Sequence, residues 1–132
     1  MQERIKKQID VGTMLPACAQ GAVGIECKTD DVQTNEILAA LHDTDTAARV
    51  HCERSLNAKL GGSCQTPIAA YAELKENTLH LRALVGTPDG SRVLTAQASD
   101  HRDNAKALGE KVALELIDAG AQGIIDALAI PA

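Results

Sequence analysis

The chain has 132 residues, with 45% hydrophobic and 23% charged residues, a composition that fits one globular domain and excludes a disordered chain. The net charge of −5 and a single aromatic residue, Tyr71, disfavour nucleic acid and anionic lipid as partners, since both are polyanions and bases need aromatic platforms to stack on. No apolar run approaches the roughly 20 residues of a membrane span, and the start, MQERIKKQIDV, lacks the apolar core of a signal peptide. A cytoplasmic location without a membrane partner is therefore expected.

The first half of the chain has helical patterns preceded by weaker signals. Residues 2–9 predict a short basic helix, and residues 20–27, QGAVGIEC, predict a short strand interrupted by glycines. Asp30, Asp31 and Thr34 mark the start of a helix before NEILAALHD, and a second start at Thr44 or Asp45 opens a longer helix that runs to about Leu60. The buried stripe of that longer helix is expected to be Ala48, Cys52, Leu56 and Leu60.

The second half of the chain predicts a sheet followed by helices. Three extended segments follow the loop that ends at Pro67, namely PIAAYAELK, NTLHLRALVGT and SRVLTAQAS, and Gly90 accepts the positive φ of the turn between the last two. After a cap at Ser99 or Asp100, a helix of about five turns runs to Gly120, and a short helix closes the chain. This order predicts an α+β fold, in which helices cover one face of a three-stranded antiparallel sheet.

The four cysteines have no CxxC or other close spacing, so no metal site is predicted and free thiols are expected in a reducing compartment. Cys27 and Cys52 are interpreted as packed thiols. Cys64 follows two glycines and a serine, which leave its sulfur unscreened, reachable and mobile. Nearby Arg54 and Lys59 favour the thiolate, whereas the preceding helix C-terminus opposes it. From composition alone, a small packed residue is the commoner role of a free cysteine.

The stretch ERSLNAKLGGSCQTPIAA, residues 53–70, resembles the signature of the porphobilinogen deaminase family, also called hydroxymethylbilane synthase. MLPACAQGAVGIEC resembles a second family segment, and YAELKENTLHLRALVGTPDGS resembles the hairpins of the family's C-terminal domain. Some positions depart from the commoner pattern. Gly61 stands where a glutamate is usual, Ser63 stands where a glycine is, and Cys18 and Ala19 replace Val-Gly.

The resemblance implies that Cys64 forms a thioether to a dipyrromethane cofactor, with Gly61, Gly62 and Ser63 as the cofactor loop and Gln20 at the border of the substrate cleft. In the family, four porphobilinogen units are added to the cofactor with release of ammonia, and hydrolysis frees the linear tetrapyrrole. A soft thiolate suits this task because it captures the electrophilic deaminated pyrrole as a stable thioether.

The resemblance assigns no catalytic residue here, because the family's catalytic aspartate and most substrate-binding arginines lie in preceding N-terminal domains. A net charge of −5 also cannot supply the basic cleft that the carboxylates of an oligopyrrole need. We therefore expect a fragment that is inactive alone and whose partner is the missing N-terminal domains.

Two units are expected in the chain. Residues 1–30 are interpreted as a remnant of the preceding domains, a helix end and a strand, and residues 31–132 as the cofactor-carrying α+β domain. Residues 1 to about 28 are expected to be disordered, packed onto the domain or exchanged between copies, with self-association through residues 20–27, because a strand without neighbours favours association. The alternative is a noncatalytic interaction or ligand-binding module in which Cys64 is structural, which predicts a protected thiol.

Overall fold

A computed structural model describes residues 2–128, so Met1 and the last four residues of the domain expected over 31–132 lie outside the described residues. The described part begins with a 3-10 turn, Gln2–Arg4, and contains three strands and four α-helices. In chain order these are α1 (Val32–Ala39), α2 (Thr44–Lys59), β1 (Ile68–Lys75), β2 (Thr78–Gly86), β3 (Val93–His101), α3 (Ala105–Asp118) and α4 (Ala121–Asp126). A second 3-10 turn, Arg102–Asn104, joins β3 to α3.

The three strands form one antiparallel sheet with β2 in the middle and β1 and β3 at the edges. The register places Ala72 opposite Leu81, and Leu81 opposite Ala98. In the β2–β3 turn Gly90 has a φ of 69°, as the sequence predicted, and the Thr87 hydroxyl donates to the Asp89 carboxylate at 2.6 Å. The predicted α+β fold is confirmed.

One face of the sheet is buried because β2 alternates between inward apolar and outward side chains. α2 and α3 pack on the inward face, and α1 has no buried residue. The fully buried core consists of aliphatic side chains and one thiol, the largest being Cys52, Leu56, Leu60, Leu79, Leu81, Val85, Leu108, Val112 and Leu116. No helix within residues 2–128 is both long enough and apolar enough to cross a bilayer.

The boundary between β3 and α3 differs from the sequence prediction. Ser99 and Asp100 are still in β3, which continues to His101, and α3 begins only at Ala105. The strand is longer because His101 is still paired with Thr78 of β2, so the backbone there is held extended. Asp100 nevertheless accepts a hydrogen bond from the side chain of Asn104, which precedes α3.

The N-terminal predictions need two corrections. Within residues 2–9 only Gln2–Arg4 is helical, and as a single 3-10 turn. Residues 20–27 form no strand, and Val23 in this segment is 89% exposed. The physical reason is the same in both cases: a short segment without a packed neighbour cannot offset the entropy of ordering its backbone, and an isolated strand cannot satisfy its hydrogen bonds.

The contact between α2 and α3 depends on Gly109. A β-carbon at this position would collide with the Cys52 carbonyl oxygen and lie 2.8 Å from the Ser55 β-carbon and 2.9 Å from the Leu56 nitrogen. Because two of these three atoms belong to the backbone of α2, they can move aside only if the helix itself moves. The absence of a side chain therefore sets the distance between the two helices.

We expect Gly109→Ala to lower the free energy of unfolding by about 2–3 kcal/mol, the cost of overpacking a close-packed site. Urea denaturation measures the change. Gly123→Ala in α4 is the matched control, since a β-carbon there meets nothing within 4 Å and alanine favours a helix. Equal stability of Gly109→Ala and the parent chain would contradict this account of helix packing.

Candidate functional site

The two glycines before Cys64 end α2. Gly61 has a φ of 66° and donates its N–H to the Ala58 carbonyl at 3.1 Å, while the Gly62 N–H reaches the Asn57 carbonyl at 2.8 Å. This pair of bonds is the Schellman motif, which satisfies carbonyls at a helix C-terminus and needs a left-handed residue just beyond the cap. A β-carbon on Gly62 would collide with the Asn57 side chain and lie 2.9 Å from Ile68 Cδ1. Both glycines therefore have a local structural role.

Cys64 lies in a turn directly after this helix end. The Ser63 N–H donates to the Thr66 hydroxyl oxygen at 2.9 Å, and the Thr66 N–H donates to the Ser63 carbonyl at 3.1 Å. The Gln65 N–H adds a bond to the Ser63 hydroxyl at 3.3 Å. These bonds fix the turn from both ends, and the Cys64 thiol between them is exposed to solvent. The turn thus presents a reachable sulfur, as the sequence predicted.

The cations considered as activators of Cys64 lie elsewhere. Arg54 and Lys59 line a groove between α2 and α3, together with Lys106 and Glu110 of α3. Cys64 is not among the residues that line this groove. The groove that contains these two cations therefore does not include the thiol.

Glu53 forms a second feature that sequence reasoning did not identify. It is 6% exposed, the one charged side chain in the described residues that is buried. Its Oε2 accepts the Ala19 N–H at 2.6 Å, and its Oε1 accepts the Ala72 N–H of β1 at 2.7 Å. Burial raises the pKa of Glu53, while these two N–H groups and the nearby Arg49 act in the opposite direction. The sequence feature that could have identified Glu53 is its position as a lone carboxylate between Cys52 and Leu56, on the side of α2 that was predicted to be buried.

Gln20 comes directly after Ala19 in the chain and is one of the residues that line an open cavity. Its own side-chain oxygen accepts the Ala17 N–H at 3.1 Å. Arg49, Glu53 and Tyr71 line the same cavity. Cys64 does not, so the structure does not bring Gln20 and the Cys64 turn into one pocket.

The remaining cysteines have three different environments. Cys52 is fully buried, and desolvation raises the pKa of its thiol to about 12. Cys18 is half-buried against the core, and burial, with a smaller effect of Glu53, raises its pKa to about 11. Cys27 is exposed and donates its S–H to the Asn35 side chain at 3.1 Å. The packed-thiol prediction is confirmed for Cys52 and wrong for Cys27, because the strand expected to hold Cys27 does not form.

Two family models match the chain. The model described as "Porphobilinogen deaminase, C-terminal domain" matches residues 47–118, which is more than half of the chain and includes the Cys64 turn. The model described as "Porphobilinogen deaminase, dipyromethane cofactor binding domain" matches residues 1–36, which include Gln20. The Ala19–Glu53 contact therefore joins the parts of the chain that the two models match.

Gly61→Ala should lower the free energy of unfolding by about 1 kcal/mol, because the left-handed backbone conformation strains a residue with a β-carbon. A β-carbon at Gly61 meets nothing within 4 Å, so the cost is conformational rather than steric. Chemical denaturation of Gly61→Ala beside Gly61→Asn measures it, and asparagine should lose less because it tolerates this conformation. If alanine and asparagine were both neutral, the helix end would not require the glycine.

Proposed function

The chain belongs to the porphobilinogen deaminase family, and on that premise we propose that Cys64 is the residue that carries the dipyrromethane cofactor. The family is a family of transferases, the hydroxymethylbilane synthases, and its substrate is porphobilinogen. The chain is part of such an enzyme of porphyrin and haem biosynthesis. The observation that carries the proposal is the exposed Cys64 thiol at the tip of a turn within the matched C-terminal domain.

The residues around Cys64 fit a covalently attached pyrrole. Gly61 and Gly62 end α2 without side chains that would cover the sulfur, and the Ser63 hydroxyl holds the turn. A thiol is the soft nucleophile that a stable thioether requires, and its exposure leaves room for a bulky group outside the domain. When bound, the dipyrromethane supplies the end on which the substrate units are assembled. A noncatalytic module with a structural Cys64 would be expected to protect the thiol, whereas Cys64 in this turn is exposed.

We propose Gln20 as a border residue of the substrate cleft. It is exposed and lies in residues 1–36, the part of the chain that matches a cofactor-binding domain. Gln20 and the Cys64 turn do not line one pocket on this chain, and the N-terminal domains are the partner that we propose to complete the cleft between them. Exposed apolar side chains in the same region support this partner, including Ile5, Ile9, Met14, Val23 and Ile25.

The attachment site is tested by the intact mass of the chain under denaturing conditions, after co-expression with the N-terminal portion of a family member. We expect an excess that matches a dipyrromethane on the parent chain and on Cys27→Ser, and a bare mass on Cys64→Ser. Cys27→Ser is the matched control because both thiols are exposed. An excess that persists on Cys64→Ser, or a bare parent chain in this experiment, would contradict the proposal.

The chain alone is expected to show no turnover of porphobilinogen, since each pyrrole has two carboxylates and a chain of net charge −5 lacks the basic cleft that would bind them. Tetrapyrrole formation by the purified chain would refute this.

The exposed apolar residues could also be covered by a second copy of the chain, bound through residues 20–27. Light scattering of the same sample tests this self-association.

The cytoplasm is the compartment that we propose for this chemistry, because a reactive thiol needs a reducing environment.

A further inference from the structure

We propose that the Glu53 carboxylate is a latch that holds the docking segment, residues 16–19, against the edge of β1, and that this segment opens and closes while the rest of the domain stays folded. The inference concerns the joint between the two matched parts of the chain. It stands apart from the role proposed for Cys64, and it can fail or succeed independently of that role.

The first argument is the geometry of the edge of β1. The Ala70 N–H donates to the Pro16 carbonyl at 3.2 Å, and the Ala72 N–H donates to Glu53 Oε1 at 2.7 Å. In an antiparallel pair alternate residues direct their backbone groups away from the partner strand, so an edge strand has a row of unpaired groups. The docking segment and one side chain together satisfy two of them.

The second argument is that one carboxylate holds both sides of this joint. Glu53 Oε2 accepts the Ala19 N–H at 2.6 Å while its other oxygen is bound to β1. A hydrogen bond to a charged acceptor is stronger than a neutral one, and the loss of a partner leaves a buried charge unsatisfied. Within the described residues, the direct backbone bond from Pro16 to β1 is the other polar contact that fastens the segment to the sheet.

The third argument is that backbone strain in the docking segment opposes the hydrogen bonds that hold it against β1. Ala19 has a φ of 59°, in the left-handed region that disfavours a residue with a β-carbon. The chain that follows is exposed from Gln20 to Gln33, so little apolar burial adds to the hold. Only Cys18 of the docking segment packs against the hydrophobic core. The docking segment is therefore held by a few strong polar contacts that act against a strained backbone. A segment held in this way can open locally while the rest of the domain stays folded.

Release would have two consequences for the molecule. It would free the Ala70 N–H at the edge of β1 for another strand, and it would uncouple Gln20 from the domain that contains Cys64. Release would also expose the Cys18 thiol, whose packing is the most direct reporter of the docked state.

The test is the native-state alkylation of Cys18 by iodoacetamide, measured by peptide mass over a series of pH values relative to exposed Cys64 in the same molecule. The compared quantity is the rate constant of the Cys18 thiolate, because the loss of the Glu53 charge also lowers the pKa of this thiol. In Glu53→Gln an amide N–H₂ replaces one acceptor oxygen and faces a backbone N–H, so Cys18 should react about tenfold faster, equivalent to about 1.4 kcal/mol. In Ala19→Gly the strain is relieved, so Cys18 should react about fivefold more slowly. Glu115→Gln, an exposed carboxylate on α3, is the control and should leave the rate unchanged.

Buried Cys52 reports in each variant whether the domain remains folded. Slow Cys52 labelling combined with opposite shifts of Cys18 in Glu53→Gln and Ala19→Gly supports the latch. An unchanged Cys18 rate in Glu53→Gln overturns it, as does faster labelling in Ala19→Gly. If Cys18 and Cys52 accelerate together in Glu53→Gln, the carboxylate holds the whole fold rather than the segment, and the proposal is also wrong.

Discussion

The close approach of α2 to α3 and to the sheet is the constraint on which the rest of the structure depends. Among the described residues the core contains no aromatic ring. It is filled by leucine, isoleucine, valine, alanine and one thiol, which pack well only when the layers lie near each other. Gly109 permits that distance by removing a side chain from the contact. Once α2 is fixed in this way, the positions of two functional features follow, because Glu53 lies on its buried side and the Cys64 turn lies beyond its C-terminus.

The Cys64 turn shows how helix termination and chemistry share the same residues. From the sequence, the glycines of the loop were expected to leave the Cys64 sulfur reachable and mobile. In the structure Gly61 and Gly62 complete a Schellman motif, and Ser63 and Thr66 hold the following turn. The exposed thiol therefore lies in a hydrogen-bonded turn just beyond α2, the same helix whose core face stabilises the domain.

Glu53 shows a different relation between burial and stability. Its carboxylate is removed from water, which is unfavourable, and the two backbone N–H groups that it accepts offset that cost. In this way one backbone N–H at the edge of β1 and one in the docking segment each gain a hydrogen-bond acceptor from α2. The arrangement connects the part of the chain matched by the cofactor-binding domain model to the part matched by the C-terminal domain model.

The sequence by itself determined the features that depend on local patterns. Three extended segments and the turn at Gly90 predicted the sheet, and the four-residue spacing of Cys52, Leu56 and Leu60 predicted the core side of α2. Each of these signals follows from the local geometry of one element or turn. The exposed Cys64 was predicted from its neighbours and from a highly specific signature. Only the tertiary structure decided the fate of residues 20–27, the late start of α3 and the role of Glu53. Each of these depends on a partner distant in sequence, whether an absent neighbouring strand, the pairing of His101 with Thr78, or the N–H groups of Ala19 and Ala72. Local pattern has no information about such contacts, since they exist only after the elements have packed.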